Sequence, residues 1–173
     1  MDLRYPIGEF KYDAPLSDSE RQVCIDEIEK TPQRMRAAVV GLNEQQLDTP
    51  YRPAGWTVRQ VVHHVPESHL NSYIRFKLAI TEDQPTIKPY FEDRWAQLDD
   101  ALKAPIALSL DLLEALHGRW IWFLRSLKQE DFQRTFKHPE LGIVSLDKNI
   151  ALYAWHGRHH VAHITSLRER MNW

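Results

Sequence analysis

Four stretches of the chain repeat their apolar residues at intervals of three and four, and this confines the fold to packed helices. A helical residue advances about 100° around the axis, so such spacing lines one face with apolar side chains. The first stretch opens at Ser17, where Ser17 and Glu20 form an S-x-x-E capping box. It carries Val23, Cys24, Ile28, Met35, Val39 and Leu42, with Pro32 predicting a kink or a break near Thr31. The second is capped by Thr57 and carries Val58, Val61, Val62, Val65, Phe76 and Ile80, with Pro66 predicting a local bend. The third opens at Ser109 and carries Leu112, Leu113, Leu116, Trp120, Phe123 and Leu127. The fourth starts near Asp147 and runs close to the C-terminus. The expected fold is all-α, a four-helix bundle. At most a small hairpin fits in RTFKHPELGIVSL. A long connection over residues 81–108 separates the second and third helices, with a short helix expected around Phe91 to Leu102.

The chain of 173 residues is read as a single domain, residues 1–173, whose first 16 residues form an extended arm. A formal net charge of −2 with no basic block gives no footprint for nucleic acid or for an anionic membrane surface. No apolar run is long enough to span a bilayer, and MDLRYPIGEF lacks the apolar stretch of a secretory signal. Cys24 is alone, which rules out an intrachain disulfide and a cysteine-based zinc knuckle. These features fit a cytoplasmic protein. What stands out is nine histidines, four of them in WHGRHHVAH, Trp155 to His163.

Helical geometry sorts these histidines. On the fourth helix Ile150, Tyr153, Gly157, Val161, Ile164, Leu167 and Met171 define the apolar stripe. His160 falls about 40° from Ile164, His156 about 80°, His163 about 100° and His159 about 140°, the last two nearer solvent. Both His156/His160 and His159/His163 are i,i+4 pairs able to grip one ion, and the need for shelter favours the inner pair. On the second helix His69 lies about 40° from Val65, His64 about 100°, and His63 points almost directly away. Ser68, Asn71 and Arg75 share the flank of His64, a polar row suited to a pocket wall. His63, His117 and His138 read as hydrogen-bonded boundary residues, and His69 as a satisfied core histidine. Face geometry does not decide between His64 and His69 as a third ligand. Gly157 keeps the inner face low, leaving room beside the ligands.

PYRPAGWTVRQVVHHV followed by WHGRHHVAHI, together with YPIGEF, LDTPYR, SYIRFKL and LHGRW, resembles the DinB/YfiT-like superfamily, most closely its YfiT branch of metal-dependent hydrolases. The resemblance runs over nearly the whole chain. It implies a four-helix bundle with one divalent metal ion per subunit; imidazole ligands suit zinc, the first choice, and nickel as well as copper and iron, which leaves the metal open. It places the ligands at His64, His156 and His160, and implies a homodimer. Pro66 departs from the family pattern two residues after His64.

Two enzymes share such a first coordination shell. One is a hydrolase acting on a small-molecule substrate, although no glutamate follows either histidine motif in an H-E-x-x-H arrangement and Glu67 points elsewhere. The other is an S-transferase using a low-molecular-weight thiol such as bacillithiol, as the resemblance also implies. An anionic thiol would need partners such as Asn71, Arg75 and Arg119, with Arg75 about 16 Å along the helix from His64. A non-enzymatic, structural metal site would instead be closed by a fourth ligand, His69 or His163.

Overall fold

The computed structural model describes residues 2–173; Met1, the first residue of the expected arm, lies outside the described residues. Four long helices form the body: α1 (Asp18–Val39), α3 (Val58–Thr81), α6 (Ile106–Ser126) and α7 (Leu146–Met171). Short helices α2 (Glu44–Leu47), α4 (Glu92–Trp95) and α5 (Asp99–Lys103) lie in the connections, and strands β1 (Thr135–His138) and β2 (Gly142–Ser145) make an antiparallel hairpin before α7. The expected four-helix bundle with a small hairpin is the fold observed. α1 packs against α6 and α7, and α3 packs against the same two. Consecutive long helices α1 and α3, and again α6 and α7, therefore sit across the diagonals of the bundle.

The helix starts follow local chemistry. Ser17 accepts from the Glu20 backbone N–H while the Glu20 carboxylate accepts from the Ser17 N–H, and Thr57 with Gln60 repeats the arrangement. Loss of either cap would cost about 1 kcal/mol. α7 begins one residue before Asp147, with Ser145 accepting from the Lys148 N–H. The third long helix differs from expectation. It starts at Ile106 after Pro105, because proline suits the first turn, and Ser109 lies inside it. The predicted short helix around Phe91 to Leu102 is two single turns, α4 and α5.

Pro32 does not break α1, which runs unbroken from Asp18 to Val39. The Ile28 carbonyl that proline leaves without its helical donor accepts instead from Nδ1 of His117 on α6, at 2.7 Å. α3 likewise runs through Pro66.

Two apolar clusters fill the bundle. One gathers Ile28, Phe76, Trp120, Phe136, Leu146 and Ile150 at the hairpin end. The other gathers Met35, Val58, Val61, Val65, Leu113 and Ile164 at the far end. Between them lies a polar belt that contains His64, Ser68, His69, His117 and His160, all buried. The N-terminal arm runs antiparallel to α7. The Asp147 carboxylate, 1% exposed, accepts from the Leu16 N–H at 2.7 Å, from the Tyr12 hydroxyl at 2.9 Å and from the buried Arg21 guanidinium. Further along, Trp155 Nε1 donates to the Gly8 carbonyl and His163 Nε2 to the Arg4 carbonyl.

Candidate metal centre

His64 from α3 and His156 and His160 from α7 converge on one point. Nε2 of His156 lies 3.4 Å from Nε2 of His64 and 3.2 Å from Nε2 of His160. One nitrogen from each of the three lies within 4.8 Å of the others. Zinc bound tetrahedrally to histidine at about 2.0–2.1 Å sets its ligand nitrogens about 3.3–3.4 Å apart. The spacing and the all-imidazole donor set therefore fit a small divalent ion. A ligand imidazole must be neutral. Burial enforces this: it holds His64 down to about 3 and His156 and His160 well below the ordinary histidine range, with neighbouring histidines adding repulsion.

The three rings form the floor of a cleft of about 520 Å³. Trp56 covers them, its ring centroid 4.7 Å from that of His64 and stacked over His160 at 6.4 Å. The Ser68 hydroxyl lies 3.5 Å from His156 Nε2 and 3.5 Å from the Tyr153 hydroxyl. The rim is built by the arm (Arg4, Tyr5), the loop before α3 (Arg52), the long connection (Tyr90, Glu92, Asp93) and the hairpin (His138, Glu140). The hairpin and the connection are stitched together, Ile87 N–H donating to the Lys137 carbonyl and Lys137 N–H to that of Pro85. Burial pushes the Tyr90 phenol up, so it stays protonated.

The other expected site residues divide. Ser68 and Arg75 line the cleft, so the long reach of Arg75 from His64 is met by a cleft that extends to it. Asn71 and Arg119 do not. The Asn71 amide donates back to the Glu67 carbonyl, and exposed Arg119 donates to the Tyr73 hydroxyl. Glu67 is also absent from the cleft. Its carboxyl is pushed up to about 7 by burial, with Asp100 adding repulsion.

Four histidines depart from their expected settings. His159 and His163 are not near solvent: they are 7% and 3% exposed. Trp155 stacks on His159 at 4.3 Å and Tyr51 on His163 at 3.9 Å, while the arm closes over both. His63 is buried rather than at a boundary, held by Ser109 Oγ at 2.7 Å and the Ala104 carbonyl at 3.1 Å. His117 is buried at 1%. His138 keeps partial exposure on the cleft rim, its Nδ1 accepting from the Glu140 and Leu141 N–H groups. His69 is the hydrogen-bonded core histidine expected, fully buried with its Nε2 3.1 Å from Nδ1 of His156. The room beside Gly157 is taken by Thr31 of α1, whose Oγ1 would lie 2.6 Å from an added Cβ. Neither His69 nor His163 joins the three converging rings, so no fourth protein nitrogen closes the group among the described residues.

A sequence model of the DinB superfamily matches residues 27–164. A Bacillus cereus (strain 03BB102) protein and one from Bacillus thuringiensis subsp. konkukian are each 59% identical over 172 residues, with 99% of both chains covered. Both carry the provisional name of metal-dependent hydrolase. Among solved structures, YfiT from Bacillus subtilis superposes with a TM-score of 0.97 at 48% identity, covering 100% of this chain and 99% of that one. YfiT is described, again provisionally, as a metal-dependent hydrolase with an unusual four-helix bundle topology. The four-helix bundle protein TT2238 shares the fold, with a TM-score of 0.55 at 17% identity over 82% of this chain and 94% of that one.

Proposed function

The chain belongs to the DinB superfamily, and from that premise we propose that it is a metal-dependent hydrolase of a small-molecule substrate, with His64, His156 and His160 as ligands to one divalent ion per chain, zinc foremost. The observation that carries this reading is the convergence of three neutral imidazoles, two buried and one half-buried, at ligand spacing in an open cleft. When bound, the ion supplies Lewis acidity, lowering the pKa of water to about 7 and equally favouring the thiolate form of a thiol. The chain's own residues do the rest. Trp56 shields the rings from bulk water. Tyr90, held protonated, is a neutral donor in the cleft, and Ser68 is a second hydroxyl beside His156. That no fourth histidine, cysteine or carboxylate joins the three among the described residues speaks against a closed structural site.

A second reading, a thiol S-transferase, is favoured by one feature. Arg4, Arg52 and Arg75 all line the cleft, which suits an anionic cosubstrate such as bacillithiol. None of the three is in an ion pair among the described residues.

Metal analysis of untagged protein, followed by activity assays, tests both. Wild type retains one ion per chain, and His64→Ala, His156→Ala and His160→Ala each weaken zinc binding by more than the roughly 100-fold that loss of an outer partner costs. Retained stoichiometric metal in all three variants would refute the ligand set. Turnover of an ester and amide panel by the zinc or nickel form supports the hydrolase. Silence on that panel, with metal-dependent conjugation of a thiol to chloro-dinitrobenzene, transfers the assignment to the second reading.

A further inference from the structure

Behind His156 two buried histidines and a freed carbonyl form an unbroken line of hydrogen bonds. Nδ1 of His156 lies 3.1 Å from Nε2 of His69, and Nδ1 of His69 lies 2.8 Å from Nε2 of His117. Nδ1 of His117 lies 2.7 Å from the Ile28 carbonyl. The far end of the line has a fixed polarity. A carbonyl only accepts, so His117 must carry its proton on Nδ1. Its Nε2 is then bare and accepts from Nδ1–H of His69, whose bare Nε2 in turn accepts from Nδ1–H of His156. The lone pair of His156 is left on Nε2, the atom that faces His64 and His160. With one proton on each ring, any other placement sets two acceptors or two donors against each other in the core.

Packing holds the rings at these angles. The rings of His69 and His117 lie nearly coplanar, 19° apart with centroids at 4.9 Å, as their hydrogen bond requires. Trp120 presents its edge-on contact to both, and Tyr153 meets His69 from another side. His69 is 0% and His117 1% exposed, so water does not compete for the line. The carbonyl is free for His117 because residue 32 is proline and donates nothing to it. His160 stands in contrast: its Nδ1 is buried without a protein partner.

We propose that His69 and His117, anchored on the Ile28 carbonyl that Pro32 leaves open, are positioning residues that fix His156 in the tautomer able to bind a metal through Nε2. This rests on the metal-centre reading given above, and it assigns a function to two histidines outside the ligand set. The relay passes a preference, not a proton, since its terminal nitrogen is the one committed to the ion.

Two measurements test it. In metal-free wild-type protein, long-range nitrogen–proton NMR spectra of the imidazoles show His117, His69 and His156 all protonated on Nδ1. A proton on Nε2 of any of the three overturns the relay. This readout needs neither metal nor a variant, so it decides the relay even if zinc fails to bind, a result that would sink the metal reading by itself. Chelator competition then reads the consequence in variants. His69→Leu weakens zinc binding about 10–100-fold. His69→Gln, which keeps a donor and an acceptor, recovers affinity to within about threefold of wild type. Equal affinity in His69→Leu and wild type, or no recovery in His69→Gln with the fold intact by circular dichroism, overturns the positioning role.

Discussion

At the scale of single residues, His156 is the pivot of the site. Its Nε2 lies within 3.4 Å of a ligand nitrogen on each of the other two, and its far nitrogen is held by protein. Helical geometry read from sequence favoured His160 and His156 because both lie towards the apolar stripe. The same geometry misplaced His159 and His163. A helical wheel knows a core side and a solvent side, and cannot register an N-terminal arm, 159 residues before His163 at Arg4, that buries the solvent side. Glu67 carries a prediction at this scale. Its folded pKa, about 7, is raised above the ordinary 4.5. The fold therefore holds a proton that the unfolded chain has released, so stability falls as pH rises from about 4.5 to 7 and stays reduced above. Glu67→Gln removes this loss. Its advantage over wild type in urea denaturation should grow across that window to about 1 kcal/mol, a figure reduced for the solvent screening of a half-buried group. A difference independent of pH would show that Glu67 titrates normally.

At the scale of elements, the helix count, the hairpin and two of the four cap positions were legible because periodicity and capping chemistry are local. The start of α6 was not. Ser109 is a good cap residue in isolation, but Pro105 opens the helix one turn earlier and leaves the Ser109 hydroxyl to His63. Pro32 was legible as a perturbation and illegible as a junction, since its effect is completed by His117 on another helix. The α1–α7 contact turns on Gly157, where an added Cβ would meet Thr31 Oγ1 at 2.6 Å and Cγ2 at 2.8 Å. Thr31 is 1% exposed and its hydroxyl is tied to the Glu27 carbonyl, so it cannot swing away. Gly157→Ala should destabilise by about 1–2 kcal/mol, the overpacking outweighing alanine's helical preference of about 1 kcal/mol. In a Thr31→Ala background, where only the Cβ contact at 3.3 Å remains, the same substitution should cost less. Thermal denaturation of the four proteins reads both values, and additivity of the two substitutions would deny the contact.

At the scale of the whole molecule, the arm couples one end of α7 to the cleft at the other. Its root is Asp147, which is buried with Arg21 and accepts from Tyr12 and Leu16, while its tip supplies Arg4 and Tyr5 to the rim. Asp147→Asn leaves the Arg21 charge short of its buried partner and should cost about 3 kcal/mol. A chain of this size then melts about 6–12 °C lower. Trypsin should cleave the variant at Arg4 and Lys11 faster than wild type, and unchanged cleavage would show that the arm is held by other contacts. The bundle was readable from periodicity, but the arm's path was not, because its anchors are single polar groups scattered along α7.

The carbonyl that Pro32 leaves open has a consequence for descent. Each ring in the line from Ile28 to His156 reads the polarity of the one before it, so a change at one position is a mismatch until the others change as well. Positions 32, 69, 117 and 156 lie on all four long helices, yet they should be inherited as one character. Relatives that lose the proline should have lost both inner histidines, and relatives that keep one inner histidine should keep the other. A transplanted version of the site that carries only the three ligands will bind metal less tightly than one that carries this block.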